Sequence, residues 1–247
     1  MIEIRNLCKT FDKGKVVAVN NLSFSIHDNE IFGLLGPNGA GKTTTMRMLS
    51  TLLKPTSGDI LYDGASVEDC AIEIKKSIGF LTNEIRLDKQ FTPNESAWFY
   101  GRLYGMTEEQ IRQNRDRLFE TFGIREFADR PYGDFSTGMK QKTSLAICLL
   151  HDPQIIIFDE PTNGLDVLMQ RQIEQHILDA KNKLGKTVII STHLLDVIER
   201  LSDRVGVIID GKSVFSGTCR EMQEYTDTGT MSEAFVSLYA TNHVDKR

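Results

Sequence analysis

No stretch of the 247-residue chain approaches the ~20 consecutive apolar residues that a membrane-spanning helix needs. Its pure apolar runs are short, such as AICLL at 146–150, preceded by Leu145, and IIIF at 155–158. The opening MIEIRNLCKTF carries Glu3 and has no uninterrupted apolar segment, so it does not read as a secretory leader. The expectation is a soluble chain whose membrane role, if it has one, runs through a partner. Cysteine is sparse: Cys8, Cys70, Cys148 and Cys219 form no CxxC pair or Cys/His cluster, which argues against a zinc site or a disulfide framework. They read as reduced packing thiols of a cytoplasmic protein. Excess positive charge is also lacking. A net charge of -5 leaves no overall basic field, so no nucleic-acid partner is expected.

What is present is an ordinary globular composition, 40% hydrophobic and 26% charged, with enough apolar content to bury a core. Short β-rich runs recur at 30–36, 58–64, 77–81, 154–158, 186–191 and 204–210. Several are nearly all apolar, as expected of strands covered on both faces. A helix is expected from Lys42 to about Leu52, and another over about 167–184, where Ile173, Ile177, Ala180 and Leu184 recur at helical spacing before Gly185. This alternation implies an α/β fold built from right-handed βαβ units around a mainly parallel sheet. Residues 92–151 read differently, as helices without a clear strand, and are expected to form an inserted helical subdomain. The α/β core then comprises residues 1–91 and 152–225. A carboxy-terminal helix and tail occupy 226–247, with Thr230 and Glu233 spaced as a capping box ahead of Met231, Ala234, Phe235, Leu238 and Tyr239.

The sharpest motif is Gly36-Pro37-Asn38-Gly39-Ala40-Gly41-Lys42-Thr43, which fits GxxxxGK[ST]. It follows an apolar strand and opens a helix, the context that phosphate binding requires. Glycines let the backbone wrap so that N–H groups point at phosphate oxygens, and the helix start adds the positive end of its dipole. Lys42 is expected to bridge the β- and γ-phosphates, Thr43 to ligate Mg²⁺ and Thr44 to hold the α-phosphate. The apolar run at 155–158 then ends in Asp159 and Glu160, placing carboxylates at the sheet edge where α/β proteins bind ligands. Asp159 suits the metal. Glu160 suits a catalytic role, orienting and polarising the attacking water.

Phe135-Ser136-Thr137-Gly138-Met139-Lys140-Gln141 narrows the choice, because it resembles the LSGGQ signature of ABC ATPases. Phe135, Thr137 and Met139 depart from that consensus. The resemblance covers nearly the whole chain in the family's order: residues 161–166, ending in Asp166, match the D-loop, and Ser191-Thr192-His193 match the switch-histidine segment. Phe11 falls where the family places an aromatic that stacks on adenine. Asn83 stands where the Q-loop glutamine is expected, a shorter amide with less reach. The resemblance implies a P-loop NTPase core with an amino-terminal antiparallel β portion and the inserted helical subdomain. It also implies a head-to-tail dimer, with a second copy of the same chain the expected partner and ATP held between the phosphate loop of one subunit and Ser136 and Gly138 of the other. His193 would contact the γ-phosphate from within its own subunit. His27, His151, His176 and His243 match nothing in the family and read as structural or solvated.

The function so implied is the ATP-hydrolysing subunit of an ABC transporter, peripheral on the inner face of the cell membrane and working through a separate membrane permease. The chain is most similar to single-domain ATPases of bacterial sodium-efflux or drug-export type. The alternative is a non-transport ABC ATPase acting as a scaffold or assembly factor.

Overall fold

The computed structural model describes residues 1–82, 87–163 and 167–243. From the amino end the chain forms strands β1 (Ile2–Phe11), β2 (Val16–Ile26) and β3 (Ile31–Leu35), then helix α1 (Lys42–Leu49). Strands β4 (Ser57–Tyr62) and β5 (Ala65–Ser66), helix α2 (Val67–Ser77) and strand β6 (Ile78–Thr82) follow. Helices α3 (Pro93–Leu103), α4 (Glu108–Thr121) and α5 (Thr137–Cys148) come next. The remainder is β7 (Ile155–Asp159), α6 (Val167–Asn182), β8 (Thr187–Thr192), α7 (Leu195–Leu201), β9 (Arg204–Ile209), β10 (Lys212–Gly217), α8 (Cys219–Thr226) and α9 (Met231–Asn242). The chain divides into two compact units, Met1–Lys75 with Ile157–Arg247, and Lys76–Ile156.

The first unit holds two sheets. In one, β1 pairs antiparallel with β2 and with β4, so the expected amino-terminal antiparallel portion is present. The other runs β10-β9-β3-β8-β7 within this unit. β3 is parallel to both β8 and β9, with Leu35 opposite Thr192 and Val207. Every residue of β3 and β8 is buried, so neither face meets water, which suits the all-apolar β3 and the Val188-Ile189-Ile190 centre of β8. The parallel register brings the carboxyl ends of β3 and β8 to the same edge, so the residues after them emerge side by side.

Two helices end earlier than the pattern predicts. α1 stops at Leu49 because Thr51 takes a left-handed conformation (φ 60°), which a helix cannot continue through. α6 stops at Asn182, and Gly185, at φ 65°, donates its N–H back to the Lys181 carbonyl. Elements that the apolar pattern did not single out are α2, bent at Cys70 (φ -123°), the seven-residue α7, β10 and α8.

The second unit contains β6 and helices α3 to α5. Thr92 and Thr107 each start a helix with a full capping box, paired with Glu95 and Gln110. Gly101 sits inside α3 because a Cβ there would run into the Ile111 side chain of α4. That close crossing outweighs the ~1 kcal/mol helix penalty of glycine. Buried Ala97, Ile111, Leu118, Phe119 and Leu145 form its apolar interior.

In α9, Thr230 accepts from the Glu233 N–H, while the Glu233 carboxylate takes the Thr230 hydroxyl rather than the Thr230 N–H, so the box is only half formed. Met231, Ala234 and Leu238 are buried, and Phe235 and Tyr239 are partly covered.

Candidate nucleotide site

The loop from β3 to α1 is shaped by glycine. A Cβ at Gly36 would strike the Ile208 carbonyl, and Gly41 combines φ 101° with an approach to the Ala18 carbonyl that no larger residue could make. Gly41 is the N-cap of α1 and offers no side-chain acceptor, so the first N–H groups of α1 have no side-chain cap. An uncapped helix start lined by a bent loop suits an anion.

Around it lies a cavity of about 280 Å³ lined by Ala18, Asn38, Gly39, Gly41, Lys42, Thr43, Thr44, Glu160 and Asn163. Lys42 is only 6% exposed. Its ammonium donates to the carbonyls of Gly36 (2.8 Å) and Pro37 (3.2 Å) and lies 3.4 Å from Glu160 Oε1. A nearly buried cation needs such partners, and a ligand oxygen can replace them. Pro37 has no N–H, and the Ala40 N–H donates to the Pro37 carbonyl, so both shape the loop from within.

The second half of the cluster comes from the ends of β7 and β8. The Thr43 hydroxyl donates to Asp159 Oδ1 at 3.3 Å, and the Ser191 hydroxyl donates to the same oxygen at 2.5 Å. Glu160 adopts φ 53°, an unfavourable left-handed conformation for a non-glycine residue. It is held there by its N–H, which donates to the Ser191 carbonyl (3.2 Å) and hydroxyl (3.1 Å). The bend turns the Glu160 carboxylate into the cavity, where His193 Nδ1 lies 3.0 Å from one oxygen and 3.2 Å from the other.

The residues fit a nucleoside triphosphate with a hard divalent cation. Thr43 and Asp159 offer two oxygen donors side by side, the ligand type that Mg²⁺ prefers. Among the described residues no group of three or more His, Cys, Asp or Glu side chains could hold a metal on its own. A cation here would therefore share its coordination with phosphate and water, as Mg²⁺ commonly does.

The structure thus gathers Lys42, Thr43, Thr44, Asp159, Glu160 and His193 into one cluster within the first unit. Ala18, Asn163 and Ser191 join them without having been singled out as site residues. The only sequence hint was that Asn163 and Ser191 lie inside the two quoted segments. Phe11, at the end of β1, is 39% exposed, with the Lys9 ammonium 5.3 Å from its ring centre, and it does not line the cavity. An exposed ring is at least free to stack. Ser136 belongs to the second unit, where it caps α5 by accepting the Met139 N–H at 3.3 Å, and Gly138 lies in the first turn of that helix. Asn83 and Asp166 lie outside the described residues.

Residues 19–163 match the family described as "ABC transporter", well over half of the chain. The chain is 37% identical over 240 residues to the ABC transporter ATP-binding protein NatA of Bacillus subtilis (strain 168), covering 96% of this chain and 97% of that protein. It is also 34% identical over 243 residues to the probable multidrug ABC transporter ATP-binding protein YbhF of Escherichia coli (strain K12), of which it spans 41%. Among solved structures, the dimeric post-hydrolysis state of the ATP-binding cassette MJ0796 bound to ADP and Pi superposes with a TM-score of 0.78 at 26% identity, covering 88% of this chain and 98% of that one. With the phosphate loop and its carboxylates gathered in one cavity, the conclusion is that this chain belongs to the ABC transporter family, as an ATP-binding and ATP-hydrolysing subunit.

Proposed function

We propose that the cavity at the start of α1 holds ATP with Mg²⁺ and that Glu160 directs its hydrolysis. The observation that carries this reading is the convergence of Lys42, Thr43, Asp159 and Glu160 on the uncapped helix start. Bound Mg²⁺ would supply charge neutralisation of the phosphates, held by Thr43 and Asp159. Lys42 would exchange its two loop carbonyls for phosphate oxygens. Glu160, aimed by its bent backbone and by His193, would orient a water and accept its proton. Ser191 holds both acids from behind, so it acts as a positioning residue. Asn38, Gly39, Gly41 and Thr44 would contribute backbone or hydroxyl donors to the phosphates.

Ser136 and Gly138, at the start of α5, form a second helix end to which a phosphate can bind when contributed to a neighbouring subunit's ATP. This supports a head-to-tail dimer of two ATPase subunits, and the similar MJ0796 cassette is described as dimeric. In such a dimer Asp166 would lie near the shared nucleotide, Phe11 would stack on adenine, and Asn83 would take the Q-loop place. Residues 92–151 would form the helical subdomain carrying the signature, and 226–247 the last helix and tail.

No helix of the described residues is long and apolar enough to cross a membrane. The chain's membership of the ABC transporter family supports placing the subunit on the inner face of the cell membrane, coupled to a separate permease. Export of sodium ions or drugs is supported by the resemblance to exporters and by the description of YbhF as a probable multidrug transporter.

The test is Glu160→Gln, which should lower turnover by about 10²–10⁴-fold while ATP still binds. Unchanged hydrolysis would remove Glu160 from this role. Tagged protein purified from detergent-solubilised membranes should carry a multi-spanning membrane protein with it; recovery of soluble partners alone would favour a scaffold.

A further inference from the structure

The phosphate loop is supported from behind by the turn between β9 and β10, and that turn is in contact with the end of α9. Asp210 and Gly211 form a two-residue hairpin loop, with Ile209 paired to Lys212. Both loop residues have positive φ (48° and 77°), the pattern of a type I′ turn. The Gly211 N–H donates to the carbonyl of Ala40 in the phosphate loop at 3.1 Å. Its carbonyl accepts the Asn20 N–H at 2.7 Å, two residues beyond Ala18, which lines the nucleotide cavity. One backbone unit therefore joins the phosphate loop to β2.

Asp210 is fixed from outside the hairpin. His243 Nδ1 lies 2.8 Å from Asp210 Oδ2. His243 is the C-cap of α9, its N–H donating to the Tyr239 carbonyl. Its ring is oriented by a ladder at i, i+4 and i+8. Phe235 stacks on Tyr239 (6.4 Å between centres), and Tyr239 stacks on His243 (4.5 Å, 16° between planes). Met231, Ala234 and Leu238 bury the other side of the helix. The ladder therefore holds the imidazole at a set place, against the turn whose Gly211 N–H reaches the Ala40 carbonyl.

We propose that His243 is a positioning residue for ATP binding: through Asp210 it holds the Asp210–Gly211 turn, and through Gly211 the phosphate loop. The inference rests on the nucleotide reading above. Its physical basis is that an aspartate in a left-handed turn position gains from a side-chain anchor. A loop whose N–H groups must meet phosphate oxygens is also sensitive to small displacements of its backbone.

The experiment uses the full chain, measuring ATP hydrolysis kinetics and equilibrium binding of a fluorescent ATP analogue. His243→Ala should raise KM and the analogue's Kd by about 2–5-fold with kcat little changed, the scale of coupling carried by residues that do not touch ligand. Asp210→Asn keeps a residue suited to this turn and weakens the anchor, so a smaller rise is expected. The double variant should be no worse than His243→Ala alone, because both remove one interaction. His243→Gln, whose amide donates to Asp210, should stay near wild type. Unchanged KM in His243→Ala, a loss confined to kcat, additive effects in the double variant, or a His243→Gln protein as impaired as His243→Ala would each overturn the proposal. Failure of the wild-type chain to bind the analogue would instead overturn the nucleotide reading.

Discussion

Helix starts in the two units can be built on opposite principles, as α1 of the first unit and α3 and α4 of the second show. In the second unit α3 and α4 begin at threonines whose hydroxyls and partner side chains satisfy the first N–H groups, so those ends are closed on themselves. In the first unit α1 begins at Gly41, with no side chain offered to its N–H groups. Closed ends contribute stability, whereas the open end leaves its donors for a ligand. α5 lies between these cases: Ser136 caps the Met139 N–H, yet its hydroxyl is at an exposed end. An uncapped start marks a ligand end only where, as at α1, a glycine-shaped loop and a nearly buried lysine stand beside it.

The strongest way to break this comparison is Lys42→Ala. Removing the cation beside the open end should weaken ATP binding on the order of 100-fold, as measured by equilibrium titration. Should Thr92→Ala at a closed end weaken binding equally, the distinction would be lost. Gly41→Ala comes next. Its left-handed φ and the Ala18 carbonyl leave no room for a Cβ, so urea unfolding should show a loss of about 2 kcal/mol. An unchanged midpoint would mean that the loop relaxes freely. Thr92→Ala should cost about 1 kcal/mol in the same assay, with ATP affinity unaltered.

The smallest expected effect concerns Cys148 in α5. Its sulfur packs towards Gly79, and burial pushes its thiol up to about 12. Because the folded state holds this proton more tightly than the unfolded chain does, the associated stability is complete below about pH 8.5 and declines as pH rises towards 12. A thiol reagent at pH 8 should therefore modify the partly exposed Cys148 much more slowly in the native protein than in urea, as followed by mass spectrometry. Rapid labelling of the native protein would contradict it.

Much of the site was legible because its chemistry is local. The eight residues 36–43 must follow one another for the backbone to wrap a phosphate, and Asp159 and Glu160 are adjacent at one strand end. Ser191, Ala18 and Asn163 were not legible as a group. Ser191 reaches Asp159 only because β7 and β8 lie side by side, 32 residues apart in sequence. α7 escaped the periodic pattern because seven residues span barely two turns. His243 matched no motif, and its contact with Asp210 spans 33 residues.

By itself the sequence determined the strand-to-helix bend, the buried strands and the acids that end one of them, since each depends on neighbours in the chain. Tertiary structure decided which carboxylate faces which cation, how Glu160 is bent, and what holds the phosphate loop from behind. Those features depend on parallel register and on a hairpin meeting a distant helix end, and no local pattern encodes either.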